Sequence, residues 1–174
     1  MRSVSVGRLG GGLMALALAV LPLSGCSTAG FAGMSSFGSN QLQVAELPSS
    51  ANYTADSALI EARNHFRNND FGYSAALYKK VVELSPKNPE GFVGLGASYD
   101  RLGRFDLSDR VYATLYQLSG GTPQYYNNLG YSYMLRGNLK LALTNFKKAR
   151  QLDPANVVVA NNLQLMAKAT AAPV

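Results

Sequence analysis

One pattern of residue types recurs with a fixed period along the middle of this chain and leaves few architectures open to it. Phe92, Leu95, Gly96 and Tyr99 are followed 34 positions later by Tyr126, Leu129, Gly130 and Tyr133. The register continues through Gly103 and Gly137, Phe105 and Leu139, Ser108 and Ala142, Tyr112 and Phe146, and Leu118 and Leu152. One period earlier Ala58, Ala62, His65, Phe71, Ser74, Tyr78 and Leu84 fall in the same columns, more weakly, and Pro86 corresponds to Pro154. A unit of this length is one supersecondary element that cannot bury its apolar face alone, so copies have to stack.

Each unit reads as two antiparallel helices, A then B. Gly96 and Gly130 have no side chain where the two helices cross, with Ala62 as the nearest small substitute, and Ser74, Ser108 and Ala142 keep the facing position small. Tyr78, Tyr99, Tyr112, Tyr133 and Phe146 are expected to fill the space between units. Gly103 and Gly137 suit a left-handed end to helix A. Asn88-Pro89 and Thr122-Pro123 each offer a cap followed by proline at the first helical position. Gly120-Gly121 replaces the proline that should close the second unit, which predicts a looser turn there.

The run Tyr126-x-x-Leu129-Gly130-x-x-Tyr133, with Ala142, Phe146, Ala149 and Pro154, resembles the tetratricopeptide repeat. The resemblance implies an all-α chain, a short solenoid of three helix-turn-helix repeats over 55–88, 89–122 and 123–156. A further helix, capped by Asn156 and running through Val157, Leu163, Met166 and Ala167, is expected to close the solenoid within 157–174. Solenoid ends need a polar outer face, and Asn161, Asn162, Gln164 and Lys168 are the candidates for it.

Residues 1–54 read differently. Arg2 and Arg8 precede an apolar stretch from Leu13 to Leu23, too short to span a bilayer and suited to a signal peptide over 1–25. Leu23-Ser24-Gly25-Cys26 resembles the lipobox of bacterial lipoproteins, which implies cleavage before Cys26 and a covalent lipid, palmitate included, on its thiol. Cys26 is the only cysteine, so no thiol remains for a disulfide, a metal or nucleophilic chemistry. Ser27 stands where Asp retains many such lipoproteins at the inner membrane, so the expected address is the periplasmic face of the outer membrane. Residues 26–54, rich in Ser and Gly, read as a flexible tether with a mean reach of about 30 Å.

Little points to catalysis. His65 is the only histidine and shares a column with Tyr99 and Tyr133, which makes it a partly packed spacer. Asp106 and Asp109 read as cap and first-turn charges rather than a carboxylate pair. No phosphate loop is present, so no enzyme, small-molecule substrate or cofactor other than the lipid is expected. Without the signal peptide, 14 basic residues stand against 10 acidic ones and are spread along the chain, which argues against nucleic acid. Lys79-Lys80 and Lys147-Lys148 recur on helix B as a solvated convex face, with a membrane- or partner-facing basic stripe as the other reading.

In tetratricopeptide domains the A helices line a concave groove that takes a peptide. The resemblance places Leu59, Arg63, Phe66, Val93, Ala97, Asp100, Arg101, Asn127, Tyr131 and Met134 there, continued by Asn161 and Leu165. From these we expect partner binding through Arg63, Phe66, Val93, Ala97, Arg101, Asn127, Tyr131 and Met134. The family's carboxylate clamp is not reproduced, because Val93 and Ala97 replace the polar residues it needs. Lipobox, short tether and three repeats with Asn127-Asn128-Leu129-Gly130-Tyr131-Ser132 together resemble the TadD-like lipoprotein of tight-adherence (Flp/Tad) pilus systems. That likeness implies an envelope partner, a pilus or secretin component. Pilotins of type IV pili and adaptors that tether cell-wall hydrolases share the layout.

Overall fold

The computed structural model describes residues 43–171, and among them all regular structure is helical. The seven helices are α1 (Ala55–Arg67), α2 (Phe71–Leu84), α3 (Pro89–Arg101), α4 (Phe105–Ser119), α5 (Pro123–Leu135), α6 (Leu139–Leu152) and α7 (Val157–Ala171). They pack as α1 with α2, α3 with α4 and α5 with α6, and α7 closes on α6 and α5. The A helices α1, α3, α5 and α7 also touch one another in sequence, whereas α2, α4 and α6 do not. The stack therefore curves, with the A helices on its concave side.

Polar caps set where the helices begin. The Thr54 hydroxyl accepts from the backbone N–H of Ser57, and the Ser57 hydroxyl accepts in return from the backbone N–H of Thr54. Asn88, Thr122, Asn138 and Asn156 cap α3, α5, α6 and α7. The A-to-B turns use one conformation: Asn69, Gly103 and Gly137, which share one repeat column, have φ of 60°, 70° and 74°.

The crossings explain the small residues. A Cβ at Gly96 would lie 2.8 Å from Tyr112, and one at Gly130 would lie 2.8 Å from Phe146. Ala62 is fully buried, and the Ser74 hydroxyl donates to its carbonyl at 3.1 Å. One repeat column thus serves two spaces. Tyr112 and Phe146, expected between units, lie on the glycine of their own A helix, while Tyr78 packs over Gly94 of the next unit. Each fully buried ring of this kind contributes about 2 kcal/mol of burial free energy.

Two further expectations change. Residues 43–54, placed in the tether by their Ser/Gly-rich surroundings, lie against the first repeat. The Ala45 N–H donates to the Gly72 carbonyl at 3.1 Å, and Val44, Leu47 and Tyr53 pack on the core built from Ala58, Ala75, Leu77 and Val81. Those apolar residues outweigh the local composition. The terminal helix is also less polar outside than expected: Val157, Val158 and Leu165 are exposed, and Asn162 turns inward. The signal peptide, Cys26 and the remaining tether to residue 42 lie outside the described residues.

Candidate functional site

Five of the eight expected partner-binding residues line one cleft on the concave side. Phe66 comes from α1, Ala97 and Arg101 from α3, and Asn127 and Tyr131 from α5, around a volume of ≈ 310 Å³. Helix α7 adds Val158 and Asn162, and the floor is Asp100, Tyr112 and Asn128. Phe66 is held edge-on by Phe71, with ring centroids 5.3 Å apart. The Arg101 guanidinium stacks 4.1 Å above that Phe71 ring, so its charge is fixed at the rim. Tyr131 rests on the cluster of Ala142, Phe146 and Met166 with part of its ring in the cleft.

Three expected residues do not join them. Arg63 forms an ion pair with Glu90, a bridge from the first repeat to the start of the second. Val93 packs on Phe92, Tyr112 and Leu115 and borders a different recess with Pro89 and Pro123. Met134 packs against the buried Ala142, Phe146 and Met166. Column position alone does not register the neighbours that each side chain meets, and α7 in particular brings Met166 onto the third repeat.

The cleft floor carries a polar network that sequence spacing did not reveal. Asp100, only 4% exposed, accepts the Tyr112 hydroxyl at 2.8 Å and the Ser132 hydroxyl at 2.6 Å. Arg136 donates to the Ser132 hydroxyl at 2.7 Å and grips both oxygens of Asp109 at 2.7 and 2.9 Å. Burial pushes the Asp100 carboxyl above its usual range, against the hydrogen bonds it accepts and the nearby Arg136. The Tyr112 hydroxyl is held well above its ordinary value, by burial first and then by the Asp100 charge. This cluster joins the second repeat to the third, and each oxygen of its Asp100 carboxylate already holds a donor.

Asn127 has a structural role as well as a cleft position, because it accepts a hydrogen bond from Asn162 at 2.8 Å. Asn128 was not among the expected partner-binding residues. It lines the same cleft, and its side-chain N–H group is buried with no partner. Only its place next to Asn127 in the repeat hinted at a role. His65 is partly packed, 2.8 Å from Asp70 and stacked on Tyr73. Among the described residues there is no cluster of His, Cys, Asp or Glu suited to a metal, and no helix long and apolar enough to cross a membrane.

These features define an all-α solenoid of tetratricopeptide repeats. Residues 123–156 match the tetratricopeptide repeat family. Among solved structures, the first such domain of the human RPAP3 protein is 19% identical, with a TM-score of 0.59 over 68% of this chain and 93% of that one. The Yersinia enterocolitica type III secretion chaperone SycD, in complex with a peptide of the translocator YopD, is 16% identical, with a TM-score of 0.55 over 71% and 99%. YrrB, described as having an unusual peptide-binding site, is 17% identical, with a TM-score of 0.58 over 66% and 59%. At these identities the likeness is one of fold. No curated protein sequence matches the chain.

Proposed function

We propose that this chain is a lipid-anchored interaction module of the bacterial envelope, and that its concave cleft holds a short segment of a pilus or secretin component. The observation that carries the reading is the convergence of Phe66, Ala97, Arg101, Asn127 and Tyr131 from three A helices on one cleft. An aromatic at each end, Ala97 between them over a polar floor, and a cation at the rim suit a peptide that offers one or two apolar side chains and backbone polar groups. Large aromatics such as Tyr131 are favoured binding hot spots. The SycD relative holds a peptide of its translocator, so a stack of this size can seat one.

The lipobox-like run ending at Cys26 supports anchoring, and Ser27 supports the outer membrane. The likeness to the TadD-like lipoprotein supports a place in assembly or secretin localisation of a Flp/Tad pilus system. In a host carrying such a system, a Phe66→Ala, Tyr131→Ala chain is expected to stay helical while secretin multimers in the outer membrane and surface pili fall together. A Gln117→Ala chain, altered on exposed α4 surface, is the control. Unchanged secretin and pili in the cleft variant would remove the proposal.

A further inference from the structure

Charge is divided unevenly along the solenoid. Residues 43–122 carry eight Lys/Arg and nine Asp/Glu, whereas 123–171 carry six and one. Four of those six cations, Lys140, Lys147, Lys148 and Arg150, stand on α6, which has no acidic residue. All four are exposed, and none forms an ion pair with a described residue. The other B helices carry acids that form ion pairs: Lys80 pairs with Glu83 on α2, and Asp106 and Asp109 of α4 pair with Arg104 and Arg136.

The same face exposes leucines. Leu141, Leu143 and Leu152 are 39%, 37% and 47% exposed. At 100° per residue Leu143 lies between Arg150 and Lys147, and Leu141 and Leu152 border Lys148 on the other side. Beside them, between α5 and α6, lies a recess of ≈ 450 Å³ lined by Tyr126, Thr144, Asn145, Lys147, Lys148 and Gln151. Thr144 and Asn145 donate to the Lys140 and Leu141 carbonyls, which leaves Lys147, Lys148 and the Tyr126 and Gln151 side chains around the shallow pocket, a set that matches a phosphate headgroup.

We propose that the exposed face of α6 docks on an anionic phospholipid bilayer, with headgroup phosphates at Lys147 and Lys148 and the flanking leucines at the headgroup–acyl boundary. An outward-bowed face suits a broad surface better than a peptide, which needs a groove. Lysines and arginines among leucines are the make-up of helices that lie in the interface. Each cation near an anionic surface raises partitioning about fivefold at moderate salt. Such a contact is too weak to anchor a protein alone, but it orients one already held nearby. It would turn the concave cleft away from the bilayer. The proposal needs neither an occupant in that cleft nor a lipid on Cys26.

Residues 26–174 with Cys26→Ser, which carry neither an acyl group nor the apolar Leu13–Leu23 stretch with Arg2 and Arg8, are sedimented with vesicles of phosphatidylcholine alone or with about one third phosphatidylglycerol. Binding to the anionic vesicles and weak binding to the neutral ones are expected. Lys140→Gln, Lys147→Gln, Lys148→Gln and Arg150→Gln together should lower anionic binding at least tenfold with helicity unchanged. A charge-matched control, Lys79→Gln, Lys80→Gln, Lys87→Gln and Arg110→Gln, should lower it less than threefold. Leu141→Ser with Leu152→Ser should lower it severalfold. Equal binding to both vesicles, or equal loss in the charge-matched control, overturns the proposal. So does displacement by polyglutamate with no effect of the leucine variant, which would mark α6 as a surface for acidic protein.

Discussion

The Asn162 side chain on the last helix donates to Asn127 Oδ1 on the third A helix at 2.8 Å, within the wall of the concave cleft. An amide of the third repeat and one of the closing helix are thereby joined in the same wall that Val158 lines. The end of the solenoid is thus part of the binding surface as well as its cover.

Asn162→Ala is expected to lower stability by about 1 kcal/mol, the usual net value of one such bond. Amide hydrogen exchange should rise along α7 well before it rises in α1 and α2. Uniform exchange through the whole chain would contradict a local hinge at this contact.

Gly130 and Gly103 predict losses of different size and cause. A side chain at Gly130 meets Phe146, which is fully buried, so Gly130→Leu should cost several kcal/mol and lower the melting temperature sharply. At Gly103 no atom lies within 4 Å of an added Cβ, but φ is +70°. Gly103→Ala should cost only the left-handed penalty of about 1 kcal/mol. Thermal melts followed by circular dichroism compare the two directly.

A Cβ at Gly72 would lie 2.5 Å from the Gln43 carbonyl oxygen. Gly72→Val should therefore lift residues 43–54 from the first repeat while the repeats themselves stay helical. Limited proteolysis reads this as new cleavage around Leu47 to Ala51, with little change in far-UV circular dichroism.

Asp100 gives a pH dependence with a definite sign. Burial raises its pKa above the unfolded value. Its contribution to stability is then fully present below the unfolded pKa, about 4, and is lost as pH rises through the folded value. The stability of the wild type relative to Asp100→Asn should fall as pH rises above about 4 and level off once the carboxyl is ionised. Urea unfolding of both proteins at a series of pH values measures it.

The repeat was legible because its packing follows a fixed column: Gly96 with Tyr112 and Gly130 with Phe146 are the same contact one period apart. Local capping rules likewise placed Asn88, Thr122 and Asn156. The cleft was legible only in part. Phe66, Ala97, Arg101, Asn127 and Tyr131 share it because helix geometry alone puts them on one side. Arg63 and Met134 left it because Glu90 and Met166 claim them, and both partners lie about one repeat away in sequence. The Asp100 network is hidden for the same reason, since Ser132 comes from the next repeat. Residues 43–54 take their place from three apolar side chains, which their average composition does not register.

The central claim is that the concave cleft holds a partner segment. A photo-crosslinking amino acid placed at Ala97, inside the cleft, and separately at Gln117 on exposed α4 surface, tests it in the native host. A single prominent adduct from position 97, mapping to one short segment of an envelope protein and missing from position 117, is the predicted result. The same adduct from both positions, or from 117 alone, would contradict it.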